Sequence, residues 1–65
     1  MKVNKDVLEG KWKQKRGQIK QWWGKLTDDD LERVDGNVDE LTGVLQERYG
    51  YGREEAERQI ESRLS

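Results

Sequence analysis

The sequence contains no cysteine, histidine, proline or phenylalanine among its 65 residues. Without cysteine there can be no disulfide, and without cysteine or histidine there is no zinc site of the usual kind. Nucleophilic catalysis uses an activated Cys, Ser or Lys beside a base, and acid–base catalysis near neutral pH most often uses histidine or a carboxylate with a shifted pKa. The only serines, Ser62 and Ser65, lie in the terminal tail. We therefore expect a protein that is not an enzyme, with no catalytic residue, metal site or cofactor.

Apolar residues are also scarce, at 31% of the chain against 42% charged residues. A chain of this length is near the lower limit at which one hydrophobic core can stabilise a fold without disulfides or bound metal ions. Three tryptophans and two tyrosines supply the large rings that make a core feasible. We expect a single domain over residues 1–65. The opening MKVNKD has no apolar leader segment, and no run could span a bilayer, which favours a soluble cytoplasmic protein without membrane contact.

Charge is nearly balanced in total, with a formal net charge of −1, but it is divided along the chain. Residues 1–26 carry eight basic and two acidic side chains, whereas residues 27–65 carry five basic and twelve acidic ones. The two halves should attract each other. This attraction fits contacts within a monomer, weak self-association between copies, or a basic face that meets an anionic partner.

The segment from Leu8 to Leu26 holds all three tryptophans and most of the lysines. Its apolar residues recur at spacings of three, four and seven, which predicts an amphipathic helix with one buried side. Asn4 suits the N-cap and Gly24 the C-terminal stop, so one helix is predicted over residues 5–23.

A second helix is predicted over residues 28–34, where Thr27 precedes Asp28, Asp29 and Asp30. A capping hydroxyl followed by carboxylates in the first turn is typical of a helix N-terminus. These aspartates lack the alternating oxygen ligands and central glycine of a calcium loop, so capping is strongly favoured over metal binding.

Two further helices are predicted, over residues 37–48 and 53–63. Gly36 breaks the chain before the first of them, Asn37 and Glu40 have the spacing of a capping box, and the glycines at 50 and 52 separate the two helices. The predicted core consists of Leu8, Trp12, Ile19, Trp22, Trp23, Leu26, Leu31, Val38, Leu41, Leu45, Tyr49, Ala56 and Ile60.

An internal duplication is suggested by an offset of 26 residues, which aligns Gly10 with Gly36, Trp12 with Val38, and Gly24 with Gly50, among other pairs. It predicts an all-α fold of four helices, long, short, long and medium, arranged as two crossed helical hairpins.

The glycines Gly10, Gly17 and Gly24 lie seven residues apart, on the side of the first helix opposite the tryptophans. A glycine inside a helix costs about 1 kcal/mol relative to alanine. Two explanations stay open, a close backbone contact with another helix or a partner, and tolerance of glycine at the surface.

The basic side of the first helix is a candidate contact for nucleic acid or another anion. Its residues are Lys11, Lys13, Arg16, Lys20 and Lys25. A basic helix with neighbouring aromatic rings can hold phosphates and stack bases. The tryptophans recur at core spacing, however, and the whole protein is mildly acidic, so nucleic-acid binding is the second hypothesis.

The run GKWKQKRGQIKQWWGKLTDDDL, the distal segment over residues 36–51 and the tail EEAERQI resemble the CsbD-like family of small bacterial general-stress proteins. The resemblance extends from about Asn4 to Leu64. It implies a four-helix domain similar to the sterile-alpha-motif arrangement, made under stress in the bacterial cytoplasm, with no catalytic residues. The resulting expectation is a non-enzymatic stress-response protein that is protective or docks on an unidentified protein partner.

Overall fold

A computed structural model of the protein describes the backbone of residues 5–64 and the side chains from Leu8 to Leu64. Within this range the structure is helical, which confirms the predicted all-α class. The helices are α1 (Lys5–Gly10), α2 (Trp12–Trp22), α3 (Asp28–Val34), α4 (Val38–Tyr49) and α5 (Arg53–Leu64). Helix α4 packs along both α3 and α5. The N-cap predicted at Asn4 lies outside the described residues.

The single helix predicted over residues 5–23 is wrong, because the structure divides it into α1 and α2 at Lys11. Lys11 has φ −111° and ψ 17°, and its amide donates to the Leu8 carbonyl three residues back. Gly10 explains the position of the break, since glycine is the weakest helix former apart from proline. The spacing of four between Leu8 and Trp12 continues across the break, so the apolar pattern conceals it.

Side-chain caps fix the starts of α3 and α4. Thr27 Oγ1 accepts from the Asp30 amide at 3.1 Å, and the Asp30 carboxylate accepts from the Thr27 amide at 3.0 Å, which is a complete capping box. Asn37 caps α4 by accepting from the amides of Asp39 and Glu40. The Asn37 amide donates to the Val34 carbonyl instead, so only half of the capping box expected there forms.

The core lies where α2, α3, α4 and α5 meet, and the end of α1 closes one side. Its buried side chains are Leu8, Trp12, Ile19, Trp23, Leu26, Leu31, Val34, Val38, Leu41, Val44, Leu45, Ala56 and Ile60. Trp22 and Tyr49, which the sequence placed in the core, are half-buried at its edge. Trp22 is one helix position from Trp23, and the rotation of about 100° that this brings moves its ring off the buried side.

Three glycines make no close contact within the described chain: Gly10 of α1, Gly17 of α2, and Gly24 in the turn after α2. A Cβ added at Gly10, Gly17 or Gly24 would meet no other atom within 4 Å. The close backbone approach occurs at Gly36, whose added Cβ would lie 2.9 Å from the Glu9 Cα atom. Glycine at position 36 therefore allows α1 to touch the turn between α3 and α4.

No helix within residues 5–64 has both the length and the apolar character needed to cross a bilayer.

Candidate functional site

The five basic residues predicted to contact an anion are distributed from the start of α2 to the loop after it. Lys11 directly precedes α2, and Lys25 follows it. Lys13, Arg16 and Lys20 are spaced three and four residues apart, which places them along one flank of α2. Arg16 is half-buried, and the four lysines are exposed.

Two of these cationic side chains contact other side chains of the same chain. Lys20 Nζ forms an ion pair with the Asp28 carboxylate at the start of α3. That hydrogen bond and the charge of Lys20 lower the pKa of Asp28, and the charge of Arg16 adds to the effect. Lys25 Nζ lies 5.1 Å from the centre of the Tyr49 ring, and the Lys25 amide donates to the Tyr49 hydroxyl at 3.2 Å. The C-terminal end of the basic flank is thus partly neutralised.

A buried carboxylate that sequence reasoning missed lies next to this region. Asp30 is only 3% exposed, and both of its oxygens accept from Arg48 of α4, from Nε at 2.8 Å and from Nη2 at 2.9 Å. Together with its capping-box bond, this pair fastens the start of α3 to the end of α4. The hydrogen bond from Arg48, with that from the Thr27 amide, lowers the pKa of Asp30 to about 2. The spacing of eighteen residues gave no local signal for the pair.

Stability is expected to fall in acid because of Asp30. Its folded pKa of about 2 is below its ordinary value of 3.8, so the carboxylate stabilises the fold above pH 3.8 and loses that contribution as the pH falls towards 2. We expect Asp30→Asn to cost about 1–2 kcal/mol at pH 7, a value discounted for the exposure of Arg48, and to flatten this part of the stability profile. Denaturant unfolding between pH 7 and 2 measures both effects.

Asp29→Asn is the matched control, since it removes an exposed carboxylate from the same helical turn. Equal losses in the two variants would show that net charge, and not the pair with Arg48, controls acid stability.

The tryptophan rings offer little surface beside the basic flank, where only an edge of Trp12 reaches the groove next to Lys11 and Lys13. Trp12 and Trp23 are 8% and 3% exposed, so both belong to the core. Trp22 packs edge-on against Trp23 with ring centres 5.9 Å apart, and the Arg63 guanidinium of α5 lies 6.0 Å from its ring. On the helical projection Trp22 falls on the flank of α2 opposite Lys13 and Lys20. The cations and the half-buried tryptophan therefore do not form one stacking platform.

Two adjoining grooves lie beside the start of α2. The first is lined by Glu9, Arg33, Val34, Asp35, Asn37, Asp39 and Glu40. The second is lined by Glu9, Gly10, Lys11, Trp12, Lys13, Gln14 and Asp35. Glu9 and Asp35 belong to both, so an acidic groove and a groove edged by lysines meet along a shared wall. The carboxylates in the described range do not form a cluster of three or more suited to a metal ion.

The structure defines a small helical protein with a tightly closed core and a densely charged surface. A protein-family model described as CsbD-like matches residues 6–58, and the chain belongs to this family, as its resemblance predicted. It is 55% identical over 58 residues to UPF0337 protein PA4738 of Pseudomonas aeruginosa, covering 89% of each chain. It is 50% identical to UPF0337 protein YjbJ of Escherichia coli K12 and 53% identical to UPF0337 protein ECA0631 of Pectobacterium atrosepticum, each over 89% of this chain and 84% of the relative.

Proposed function

We propose that this protein is a non-enzymatic stress-response protein of the bacterial cytoplasm that protects other proteins through weak contacts made by its folded surface. The stress role and the location rest on the resemblance to small general-stress proteins described above.

The observation that carries the proposal is the matching of opposite charges across the surface. Ion pairs among the described residues join α3 to α2 and to α4, and others lie within α5. A surface in which both signs are interspersed keeps a protein soluble at high concentration and avoids a strong field of one sign. Those properties suit a small domain that must stay folded and make many weak contacts when it is abundant.

Protection of a heat-labile reporter enzyme tests this function. We expect the wild-type protein, at equimolar ratio, to delay aggregation of the reporter as measured by light scattering and recovered activity. Trp23→Ala, which removes the fold at nearly the same composition, should protect much less, and so should an inert helical protein of similar mass. Absence of protection by the wild type would contradict the proposal, as would equal protection by the unfolded variant.

Nucleic-acid binding is the second candidate function, and one observation favours it. Lys11, Lys13 and Lys15 form no ion pair with any residue in the described range, so a short cationic segment remains available at the start of α2. Against it, Lys20 and Lys25 are engaged by Asp28 and Tyr49.

Tryptophan fluorescence separates the two functions. With Trp12 and Trp23 in the core, we expect mostly protected emission, a quencher-accessible fraction from Trp22, and no change with single-stranded or duplex nucleic acid at about 0.15 M salt. Quenching by nucleic acid that weakens with salt and disappears in Lys13→Glu would favour nucleic-acid binding.

For the fold, we propose that the helices form two crossed hairpins, α1 and α2 with α3, and α4 with α5. The packing of α5 along α4 supports the second hairpin. The turn through Gly50, which has φ 72°, supports it as well, because a left-handed residue there ends α4 before α5 begins.

A further inference from the structure

We propose that the paired grooves beside the start of α2 form a self-complementary surface through which two copies of this chain associate in a salt-sensitive dimer. The proposal does not depend on the protective function, because it concerns only which charges meet between copies.

Unmatched charges of both signs collect at this place. Elsewhere on the described surface most cationic side chains already have a partner, such as Asp28 for Lys20, Glu47 for Arg33 and Glu57 for Arg53. At the start of α2, Lys11 and Lys13 are exposed and form no ion pair with a described residue, and the exposed Glu9 and Asp35 form none either. Carboxylates and ammonium groups therefore lie close together without neutralising one another.

The arrangement of the two grooves suits a second copy. Glu9 and Asp35 line the wall that the grooves share, while Lys11 and Lys13 edge one groove only. A two-fold rotation about an axis near this wall places the lysine edge of each copy over the acidic groove of the other. Each contact is then made twice, which is the form of an isologous interface.

The backbone at this surface permits a close approach. Gly10 lines one groove and is exposed, and a Cβ added there would meet no described atom outside its own helix within 4 Å. The groove of one copy can therefore accept the lysine side chains of the other without first moving a helix.

The occupant is a second copy and not a general anion, because the wall beside the lysines carries carboxylates. Glu9 and Asp35 would repel a polyanion laid along this edge, whereas they attract the lysines of a two-fold-related chain. Charge contacts of this kind are screened at high ionic strength, so we expect association at low salt and dissociation as the Debye length shrinks to about 3 Å near 1 M salt.

A charge-exchange experiment tests the pairing directly. In the wild type Lys13 of each copy faces Glu9 of the other. Lys13→Glu places two carboxylates opposite each other in both contacts, and Glu9→Lys places two ammonium groups there, so each variant alone should stay at the mass of one protomer, 7.7 kDa. In an equimolar mixture, a dimer can form from one copy of each variant. One of its two contacts joins the new carboxylate at position 13 of the first variant to the new ammonium group at position 9 of the second. The other contact keeps the native pair of Lys13 with Glu9, so the mixture should associate.

Light scattering coupled to size exclusion, at low and high salt and at several protein concentrations, gives the masses. Two control variants make the same charge changes away from this surface. They are Lys15→Glu, on the opposite flank of α2, and Glu32→Lys, on the exposed side of α3. Both should associate as the wild type does. Circular dichroism establishes that every variant is folded. A wild type that keeps the mass of one protomer at low salt would overturn the proposal. So would association that Lys13→Glu and Glu9→Lys leave unchanged, or a mixture that fails to associate.

Discussion

Replacing Trp23 with alanine is expected to unfold most of the protein at room temperature. The Trp23 side chain is 3% exposed and lies in the core at the end of α2. Removing a buried tryptophan ring costs about 3–5 kcal/mol through lost transfer free energy and the cavity left behind. A domain of this length has a total stability on the order of 3–10 kcal/mol at typical values per residue, so the loss approaches the whole.

Trp22→Ala is the matched control, because it deletes the same ring from the neighbouring position. Trp22 is half-buried and packs edge-on against Trp23 and beneath Arg63. We expect it to cost about 1–2 kcal/mol, since less apolar area leaves water than at Trp23. Urea denaturation followed by circular dichroism measures both losses. A Trp22→Ala loss as large as that of Trp23→Ala would mean that the two rings share the core equally.

Local chemistry predicted the starts of α3 and α4, because capping is a matter of neighbouring residues. Thr27 before three aspartates was sufficient to place the start of α3 at Asp28, and Asn37 was sufficient to place the start of α4. The split at Lys11 was missed, although the offset of 26 residues contained a signal for it. That offset aligns Gly10 with Gly36, which the sequence identifies as a helix break. It also aligns Trp12 with Val38, where α4 begins, and so indicates a new helix at Trp12.

The contacts of the candidate site needed the tertiary structure. The pair between Asp30 and Arg48 depends on how α3 lies against α4, and no periodicity links two residues eighteen positions apart. The sequence showed the basic flank of α2. It did not show that α3 brings Asp28 to Lys20, or that the Tyr49 ring lies next to the Lys25 ammonium group. Periodicity shows which residues share a side of one helix, whereas the charge left unmatched depends on every helix packed beside it.

Gly36→Ala is expected to destabilise the protein by about 2–5 kcal/mol, an effect second only to that of Trp23→Ala. Gly36 has φ +82°, a conformation that costs an L-residue about 1–2 kcal/mol. The new Cβ would also lie 2.9 Å from the Glu9 Cα atom, which is backbone and can move only if α1 moves. Overpacking of this kind typically costs a further 1–3 kcal/mol, roughly.

Two other glycines separate these contributions. Gly50 also has a positive φ, 72°, but an added Cβ meets nothing within 4 Å, so Gly50→Ala should show the backbone cost alone, about 1–2 kcal/mol. Gly17 lies inside α2 with open space around it, so Gly17→Ala should stabilise by about 0.5–1 kcal/mol. Thermal and urea unfolding of the three variants gives the order. If Gly36→Ala and Gly50→Ala lower the free energy of unfolding by the same amount, α1 moves away from the turn between α3 and α4 at no measurable cost. A larger loss at Gly36 would show that the contact of α1 with this turn contributes to the stability of the whole fold.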